Sequence, residues 1–242
     1  EPQAFEPKHW RGGGSKAAEV QVTSAGGAGC RVAANPAYSG LVGAGSATSK
    51  KAVTMYEAPE GKAVKVLAEP SEEVNCVAFD GKHIACGCDN GLICVWTAEG
   101  ASLGQMPKEH TDNVFAIAIR DDLLISGASD NKVKLWSVSE RKCTATLTEH
   151  TDWVWGVAVS EDAIASGSAD NTARLWPHDG GASLHTLQHP DYVLAVAMSA
   201  NVLVTGCDDK LVRTFLVATG QLTRELRGHT DYVRSVALSG AM

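Results

Sequence analysis

Histidine, serine and aspartate recur together in this sequence, and a nucleophilic hydrolase combines these residue types to activate a hydroxyl group. The group appears three times at nearly constant spacing, twice followed by tryptophan: His110, Ser126, Asp130 and Trp136; His150, Ser166, Asp170 and Trp176; His189, Thr205 and Asp209. A catalytic triad has no reason to recur along one chain, and the sequence holds no Gly-x-Ser-x-Gly elbow. We therefore predict a structural role for these residues, no catalytic residue, and a protein that is not an enzyme.

Cysteine is the other residue type that could carry chemistry. Cys86, Cys88 and Cys94 lie close together, but no second pair stands at zinc-binding spacing, so we predict buried small residues and no metal site. The odd total of seven cysteines makes a disulfide framework improbable and favours the cytoplasm or the nucleus. The glycine-rich residues 11–14 lack a following Lys-Ser/Thr pair, so we expect no phosphate loop and no cofactor.

Charge and hydropathy narrow the classes of partner. The 28 acidic residues outnumber the 21 basic residues, which gives a formal net charge of −7. A net negative chain repels phosphate backbones, so nucleic acid is not the expected partner. No stretch approaches the roughly 18 apolar residues that span a bilayer, so we expect no membrane association either.

The elements that position these side chains repeat along the chain. Trp96, Trp136 and Trp176 lie 40 residues apart, Phe215 follows after 39 residues, and Tyr56 lies 40 residues before Trp96. A second series consists of His110, His150, His189 and His229. A period of 39–40 residues is typical of a repeat architecture.

Each repeat predicts four short strands. In residues 150–188 the apolar alternation predicts strands at 153–159, 163–168, 172–176 and 183–187, with a hairpin turn at Asp170-Asn171. One small antiparallel sheet cannot bury both of its faces alone, whereas sheets stacked around an axis can. The sequence therefore predicts an all-β fold, a β-propeller of four-stranded antiparallel blades.

The repeats also predict the domain organisation. Residues 1–27 form a Gly/Ala-rich N-terminal arm, in which 18–22 are a candidate closing strand, and residues 28–242 form the propeller. The five complete blades are expected at about 28–70, 71–109, 110–149, 150–188 and 189–228. A sixth repeat begins at His229 and stops after a single strand, so we expect a truncated propeller of about seven blades when complete.

The repeats resemble the WD-repeat family of propellers over about residues 28–242. The motifs that carry the resemblance are Ser126–Asp130 with Lys134-Leu135-Trp136, and Ser166–Asp170 with Arg174-Leu175-Trp176. No tryptophan here is followed by aspartate, and only Gly228-His229 keeps the Gly-His pair of the family.

The resemblance implies that each recurring group is a buried hydrogen-bonded set of His, Ser or Thr, Asp and Trp. The fifth blade keeps His189, Thr205 and Asp209, but Phe215 has no N–H to donate. In the second blade, Pro70, Cys86 and Asn90 replace the histidine, serine and aspartate. We expect these two blades to depend more on packing.

The resemblance further implies a binding surface. In this family the start of each inner strand lines the top entrance of the propeller. The matching residues, called here the top rim, are Asn113, Phe115, Trp153, Trp155, Tyr192, Tyr232 and Arg234. Clustered aromatic residues are typical of interface hot spots, although Trp153 and Trp155 could instead cover the channel mouth or pack between blades.

The favoured function is a non-enzymatic protein–protein interaction scaffold that binds peptides or protein partners on its top face, as a subunit of a larger complex. The alternative is the substrate-recognition subunit of a ubiquitin ligase complex. It rests on the short turn between the first two strands of each blade, such as 120–122, which is similar to the turns of F-box/WD-repeat receptors.

Overall fold

All regular elements in the described part of the chain are β-strands. The computed structural model describes residues 32–34, 41–45, 52–57, 62–68 and 70–238. Twenty strands form five four-stranded antiparallel sheets. Within each sheet, strands that follow one another in the sequence are hydrogen-bonded neighbours. The strands of the first two sheets are β1 (Val32–Ala34), β2 (Leu41–Gly45), β3 (Val53–Glu57), β4 (Lys62–Leu67), β5 (Val74–Phe79), β6 (His83–Cys88), β7 (Ile93–Thr97) and β8 (Ser102–Gln105).

The other three sheets follow the same order. Their strands are β9 (Val114–Arg120), β10 (Leu123–Ala128), β11 (Val133–Ser137), β12 (Lys142–Leu147), β13 (Val154–Val159), β14 (Ile164–Ser168), β15 (Thr172–Trp176), β16 (His185–Gln188), β17 (Val193–Met198), β18 (Val202–Cys207), β19 (Val212–Leu216) and β20 (Leu222–Leu226). Each sheet comes from one sequence repeat. The prediction of an all-β propeller built from four-stranded antiparallel blades is confirmed.

Neighbouring sheets pack face to face through their first strands. β5 contacts β9, β9 contacts β13, and β13 contacts β17. Each apolar core contains side chains from two successive sheets, with the buried Trp96, Trp136 and Trp176 among the largest. Because every sheet buries its faces against its neighbours, the stack is stable where one sheet would not be. Over the described residues, the five sheets do not close into a ring.

A glycine on the second strand allows this close approach. A Cβ atom on Gly127 would lie 2.5 Å from Val154 Cγ1 of the next sheet, a distance that real Cβ atoms do not adopt. Gly167 faces Val193 in the same way at 2.7 Å. The Ser-Gly pair of the repeat therefore places a hydrogen-bonding hydroxyl beside a position that must lack a side chain.

Apart from one-residue shifts at strand ends, two details differ from the sequence predictions. The last strand of the fourth sheet begins at His185 rather than at 183, because Ser183 hydrogen-bonds Glu149 through both its backbone N–H and its hydroxyl. Residues 229–238 do not form the expected strand, since no strand in the described residues pairs with them. The candidate closing strand at 18–22 lies outside the described residues.

Candidate functional site

The recurring His, Ser, Asp and Trp side chains meet in the third and fourth sheets. His110 Nδ1 lies 2.8 Å from Asp130 Oδ2, His110 Nε2 lies 2.6 Å from Ser126 Oγ, and Trp136 Nε1 donates to the same oxygen at 2.9 Å. The imidazole Nδ1–H thus donates to the carboxylate, and the serine hydroxyl donates to Nε2 while accepting the indole N–H.

The fourth sheet has the same chain of hydrogen bonds, made by the equivalent atoms. The corresponding distances are 2.7 Å for His150 to Asp170, 2.7 Å for His150 to Ser166, and 2.8 Å for Trp176 to Ser166. Ser126 and Ser166 are fully buried, and each hydroxyl is occupied on two sides. Neither hydroxyl is placed to attack a substrate, so these groups stabilise the sheets.

The aspartates of these chains carry perturbed pKa values. Burial acts to raise the pKa of Asp130, but hydrogen bonds from His110 and from the backbone N–H groups of Thr111 and Lys132 outweigh it and lower the pKa. For Asp170 the balance is the same, with an added hydrogen bond from the Thr172 hydroxyl, and its pKa lies well below the ordinary range. Both carboxylates are therefore ionised partners of their histidines at neutral pH.

The fifth sheet departs from the predicted set. His189 Nε2 bonds the Thr205 hydroxyl at 2.9 Å, but its Nδ1 donates to the Leu187 carbonyl at 3.0 Å rather than to Asp209. Burial lowers the pKa of His189, which agrees with a neutral ring. Asp209 instead accepts a hydrogen bond from Arg213 at 2.6 Å. The sequence prediction that Asp209 hydrogen-bonds His189 in this set is therefore wrong.

The residue before each histidine also differs between the sheets. Glu109 and Glu149 precede the histidines of the third and fourth sheets, and they pair with the cations at the positions equivalent to Arg213, the buried Lys134 and the partly buried Arg174. Gln188 stands there in the fifth sheet and carries no charge. The buried Arg213 pairs instead with Asp209 at 2.6 Å and with Glu225 of β20 at 3.1 Å, so a buried cation has two anionic partners within its own sheet.

Two aromatic residues of the top rim, Phe115 and Trp155, sit at β-bulges. At the start of β13 and of β9, two residues oppose one on the partner strand, which leaves Trp155 and Phe115 without a ladder partner. A bulge re-aims the extra side chain away from the sheet. Trp155 stacks on Phe115 with ring centroids 4.5 Å apart, and Trp153 meets Trp155 edge-on at 5.6 Å.

A cavity of about 280 Å³ adjoins this stack and brings together four of the predicted rim residues. We call it the rim cavity, and its lining is Trp155, Tyr192, Leu194, Asp208, Tyr232 and Arg234. The Arg234 guanidinium lies 4.8 Å from the centre of the Tyr232 ring. Trp155 Nε1 is a buried donor without a hydrogen-bond acceptor among the described residues.

The other predicted rim residues have different surroundings. Phe115 and Trp153 contact Trp155 from outside the cavity lining, and 45% of Trp153 is exposed. The Asn113 amide, in the orientation that satisfies its bonds, donates to the Asp89 carbonyl of the preceding sheet. Asn113 thus ties two sheets together. Sequence reasoning missed Asp208, whose only signal is its place in the turn after β18.

Three cysteines come together in the second sheet. The sulfur atoms of Cys86, Cys88 and Cys94 all lie within 4.8 Å of one another and are fully buried. Cys86 and Cys88 are two residues apart and therefore lie on the same face of β6. The antiparallel register places Cys94 of β7 directly opposite Cys86. Hydrogen bonds to Cys88 and Cys94, together with burial, raise the pKa of Cys86, whereas bonds from the other two thiols lower the pKa of Cys94.

Comparison with known proteins identifies the repeats. The family model "WD domain, G-beta repeat" (WD40) matches residues 61–97, 102–137 and 141–177. No curated protein sequence matches this chain. Within the described residues, no helix is long and apolar enough to cross a membrane.

Solved structures share the fold. The computationally designed Ika8 protein matches with a TM-score of 0.72 and 24% identity over 83% of this chain, which spans 63% of the designed protein. The WD40 beta propeller domain of Doa1 matches with a TM-score of 0.70 and 21% identity over 83% of this chain and 69% of that domain. Three segments of the chain therefore match the WD40 repeat, and the chain has the fold of a WD40 propeller.

Proposed function

We propose that this WD40-repeat chain is a protein-interaction scaffold that binds an extended peptide segment of a partner protein at the rim cavity. The observation that carries the proposal is the grouping of Trp155, Tyr192 and Tyr232 around one opening, with Tyr192 and Tyr232 45% and 42% exposed. Aromatic side chains offer a large contact area at low entropic cost and dominate binding energy at protein interfaces.

The polar groups of the cavity suit a peptide. The unpaired N–H of Trp155 needs an acceptor, which a backbone carbonyl of the ligand supplies. Asp208 and Arg234 line the same opening with opposite charges, so they can each pair with an opposite charge of the ligand. The Phe115 stack holds the Trp155 ring before binding, which reduces the ordering cost of association.

The test is a binding measurement on peptides selected from a random display library against the purified chain. We expect Trp155→Ala to weaken the selected peptides at least about tenfold, because truncating an aromatic hot spot typically costs 2 kcal/mol or more. Val66→Ala is the matched control, since Val66 is 58% exposed on β4, in a different sheet. Equal affinity for wild type and Trp155→Ala, with both folded by circular dichroism, would overturn the proposal.

A ubiquitin-ligase receptor is the second candidate. Its support is the short β9–β10 turn, where Asp121 adopts the left-handed conformation with a φ of 55°. If this hypothesis is correct, the chain expressed with its natural flanking sequence co-purifies with a Skp-type adaptor and a cullin. If the purified chain retains partner proteins that bind at the rim cavity but neither the adaptor nor the cullin, the ligase hypothesis is contradicted. The scaffold proposal is then unaffected.

A further inference from the structure

The second sheet differs from its neighbours at the position of the hydrogen-bonded chain. Cys86 occupies the place that Ser126 and Ser166 hold in the next two sheets, while Pro70 and Asn90 stand where those sheets have histidine and aspartate. The polar chain is thus replaced by a group of three buried thiols. The second sheet therefore lacks the stabilising hydrogen bonds of His, Ser and Asp, and has three side chains of a metal-ligating type at that place.

The other buried thiols of the described chain do not resemble this group. Cys76 lies in a different core cluster and donates towards the Val114 carbonyl at 3.7 Å, and Cys207 donates to the Asp191 carbonyl at 3.3 Å. The three sulfurs of the group instead lie within 4.8 Å of one another. They are therefore convergent donors, whereas Cys76 and Cys207 are satisfied by the backbone.

The surroundings of the group select the kind of ion. The group packs in a core cluster with hydrocarbon and aromatic side chains and the thioether of Met55, and no carboxylate or imidazole of the described residues joins the three sulfurs within 4.8 Å. A site with only sulfur ligands favours a soft ion and disfavours Mg²⁺ and Ca²⁺. Structural zinc takes four ligands, and three cysteines supply three. A monovalent copper ion, which thiolates select, suits this donor set.

The spacing of the sulfurs also agrees with one shared ion. Thiolate ligands lie about 2.3 Å from a first-row metal ion, so three of them around one ion lie about 4 Å apart. The observed upper limit of 4.8 Å requires only small side-chain rotations to reach that geometry.

We propose that Cys86, Cys88 and Cys94 form a buried binding site for one Cu(I) ion. Coordination makes a copper–sulfur bond at each ligand, and every thiol that ionises releases its proton to solvent, so no electron is transferred. The ion links β6 to β7 and takes over the stabilising role that the serine-centred chain has in the neighbouring sheets. The proposal is independent of the rim cavity, which lies on other sheets.

The test titrates the fully reduced chain with Cu(I) under anaerobic conditions, in competition with the chromogenic chelator bicinchoninate. We expect one Cu(I) per chain held against the chelator, thiolate-to-copper charge-transfer absorption in the ultraviolet, and a higher melting temperature with copper. The triple variant Cys86→Ala, Cys88→Ala, Cys94→Ala should lose all three signals. The matched control, Cys76→Ala with Cys207→Ala, should keep them, because these buried cysteines lie outside the group.

Three outcomes would overturn the proposal: copper retention by the triple variant equal to that of wild type, no copper held by wild type, or tight Zn(II) binding without Cu(I) binding. Circular dichroism first establishes that each variant is folded. Should the triple variant not fold, Cys88→Ser decides instead. Loss of one of three ligands should lower Cu(I) affinity by roughly 100-fold or more, and an unchanged affinity would refute the site.

Discussion

A single hydroxyl oxygen organises each complete hydrogen-bonded chain. Ser126 Oγ accepts from the Trp136 indole and donates to His110, and these contacts measure 2.9 Å and 2.6 Å. All three side chains are buried, so water cannot replace a lost partner. Removing the hydroxyl therefore leaves both a donor and an acceptor unsatisfied in the core, which costs more than the bonds themselves contribute.

We predict that Ser126→Ala lowers the free energy of unfolding by about 2–4 kcal/mol, the sum of two unsatisfied buried groups. Urea denaturation followed by tryptophan fluorescence measures the change. Ser139→Ala, on the exposed turn of the same sheet, should stay within about 0.5 kcal/mol of wild type. A similar loss in both variants would contradict the central role of the Ser126 hydroxyl.

The aspartates predict a dependence of stability on acid. Because folding lowers the pKa of Asp130 and Asp170, the unfolded chain binds protons more readily. Their stabilisation is complete above the unfolded pKa of about 3.9 and is lost as the pH falls through the lower folded values.

For Asp170→Asn we expect a clear loss of stability at pH 7 that shrinks below about pH 4, where the wild-type carboxylate begins to lose its advantage. Urea midpoints measured from neutral to acid pH give the profile. The control is Glu161→Gln, whose carboxylate is 78% exposed, and its curve should run parallel to that of wild type. An Asp170→Asn loss that stays constant over this range would contradict the pKa argument.

The residues of the hydrogen-bonded chains were predictable where every member recurs with the same neighbours. Spacing showed that His110, Ser126, Asp130 and Trp136 recur together, and the resemblance to WD repeats implied that they hydrogen-bond, as the structure has them. Asp209 was assigned to His189 on the same spacing, but in the structure it pairs with the buried Arg213 of the next strand. Spacing does not show which of two neighbouring polar groups a carboxylate will contact.

Adjacent sheets meet where a glycine on β10 faces a valine on β13. The 2.5 Å distance between a Cβ on Gly127 and Val154 Cγ1 leaves no room for a methyl group. We predict that Gly127→Ala destabilises the chain by about 1–3 kcal/mol through overpacking. Val154→Ala alone should cost about 1–2.5 kcal/mol through the cavity it creates.

The double variant is the decisive measurement. If the two groups compete for one space, Gly127→Ala with Val154→Ala should be more stable than the sum of the single losses predicts, by about 1 kcal/mol or more. Urea denaturation of the four proteins completes the cycle. Strictly additive losses would show that the Gly127 position is constrained by something other than the next sheet.

Strand pairing could be predicted from the period of the repeats, but not where a local contact shifts a strand. The alternation and the Asp170-Asn171 turn gave β15 correctly, at Thr172–Trp176. The start of β16 was wrong by two residues because Ser183 binds Glu149 from the preceding loop. The sequence placed Cys86, Cys88 and Cys94 near one another, but the convergence of their sulfurs follows only from the register of Cys86 with Cys94 across the β6–β7 hairpin.

The described molecule is a series of sheets, each stabilised by the next. In such an array, stability approximates a sum of nearest-neighbour contacts. Val154, Val193 and Val233 occupy equivalent positions against Gly127, Gly167 and Gly206 of the preceding sheets. Val154 and Val193 belong to strands of complete sheets, whereas Val233 lies in the segment 229–238. The backbone N–H of Val233 joins this segment to β18 by donating a hydrogen bond to the Cys207 carbonyl.

The same substitution at these three sites therefore measures how coupling is distributed over the molecule. We predict that Val154→Ala and Val193→Ala each cost about 1–2.5 kcal/mol, because both valines are fully buried between two sheets. Val233→Ala should cost less than about 1 kcal/mol, since most side chains around it are exposed and the segment can detach locally before the sheets unfold. Urea midpoints rank the variants, and hydrogen exchange should show faster exchange of the Val233 amide than of the β13 and β17 amides. Equal losses at all three sites would mean that residues 229–238 unfold together with the five sheets, and that stability is not assembled from neighbouring contacts.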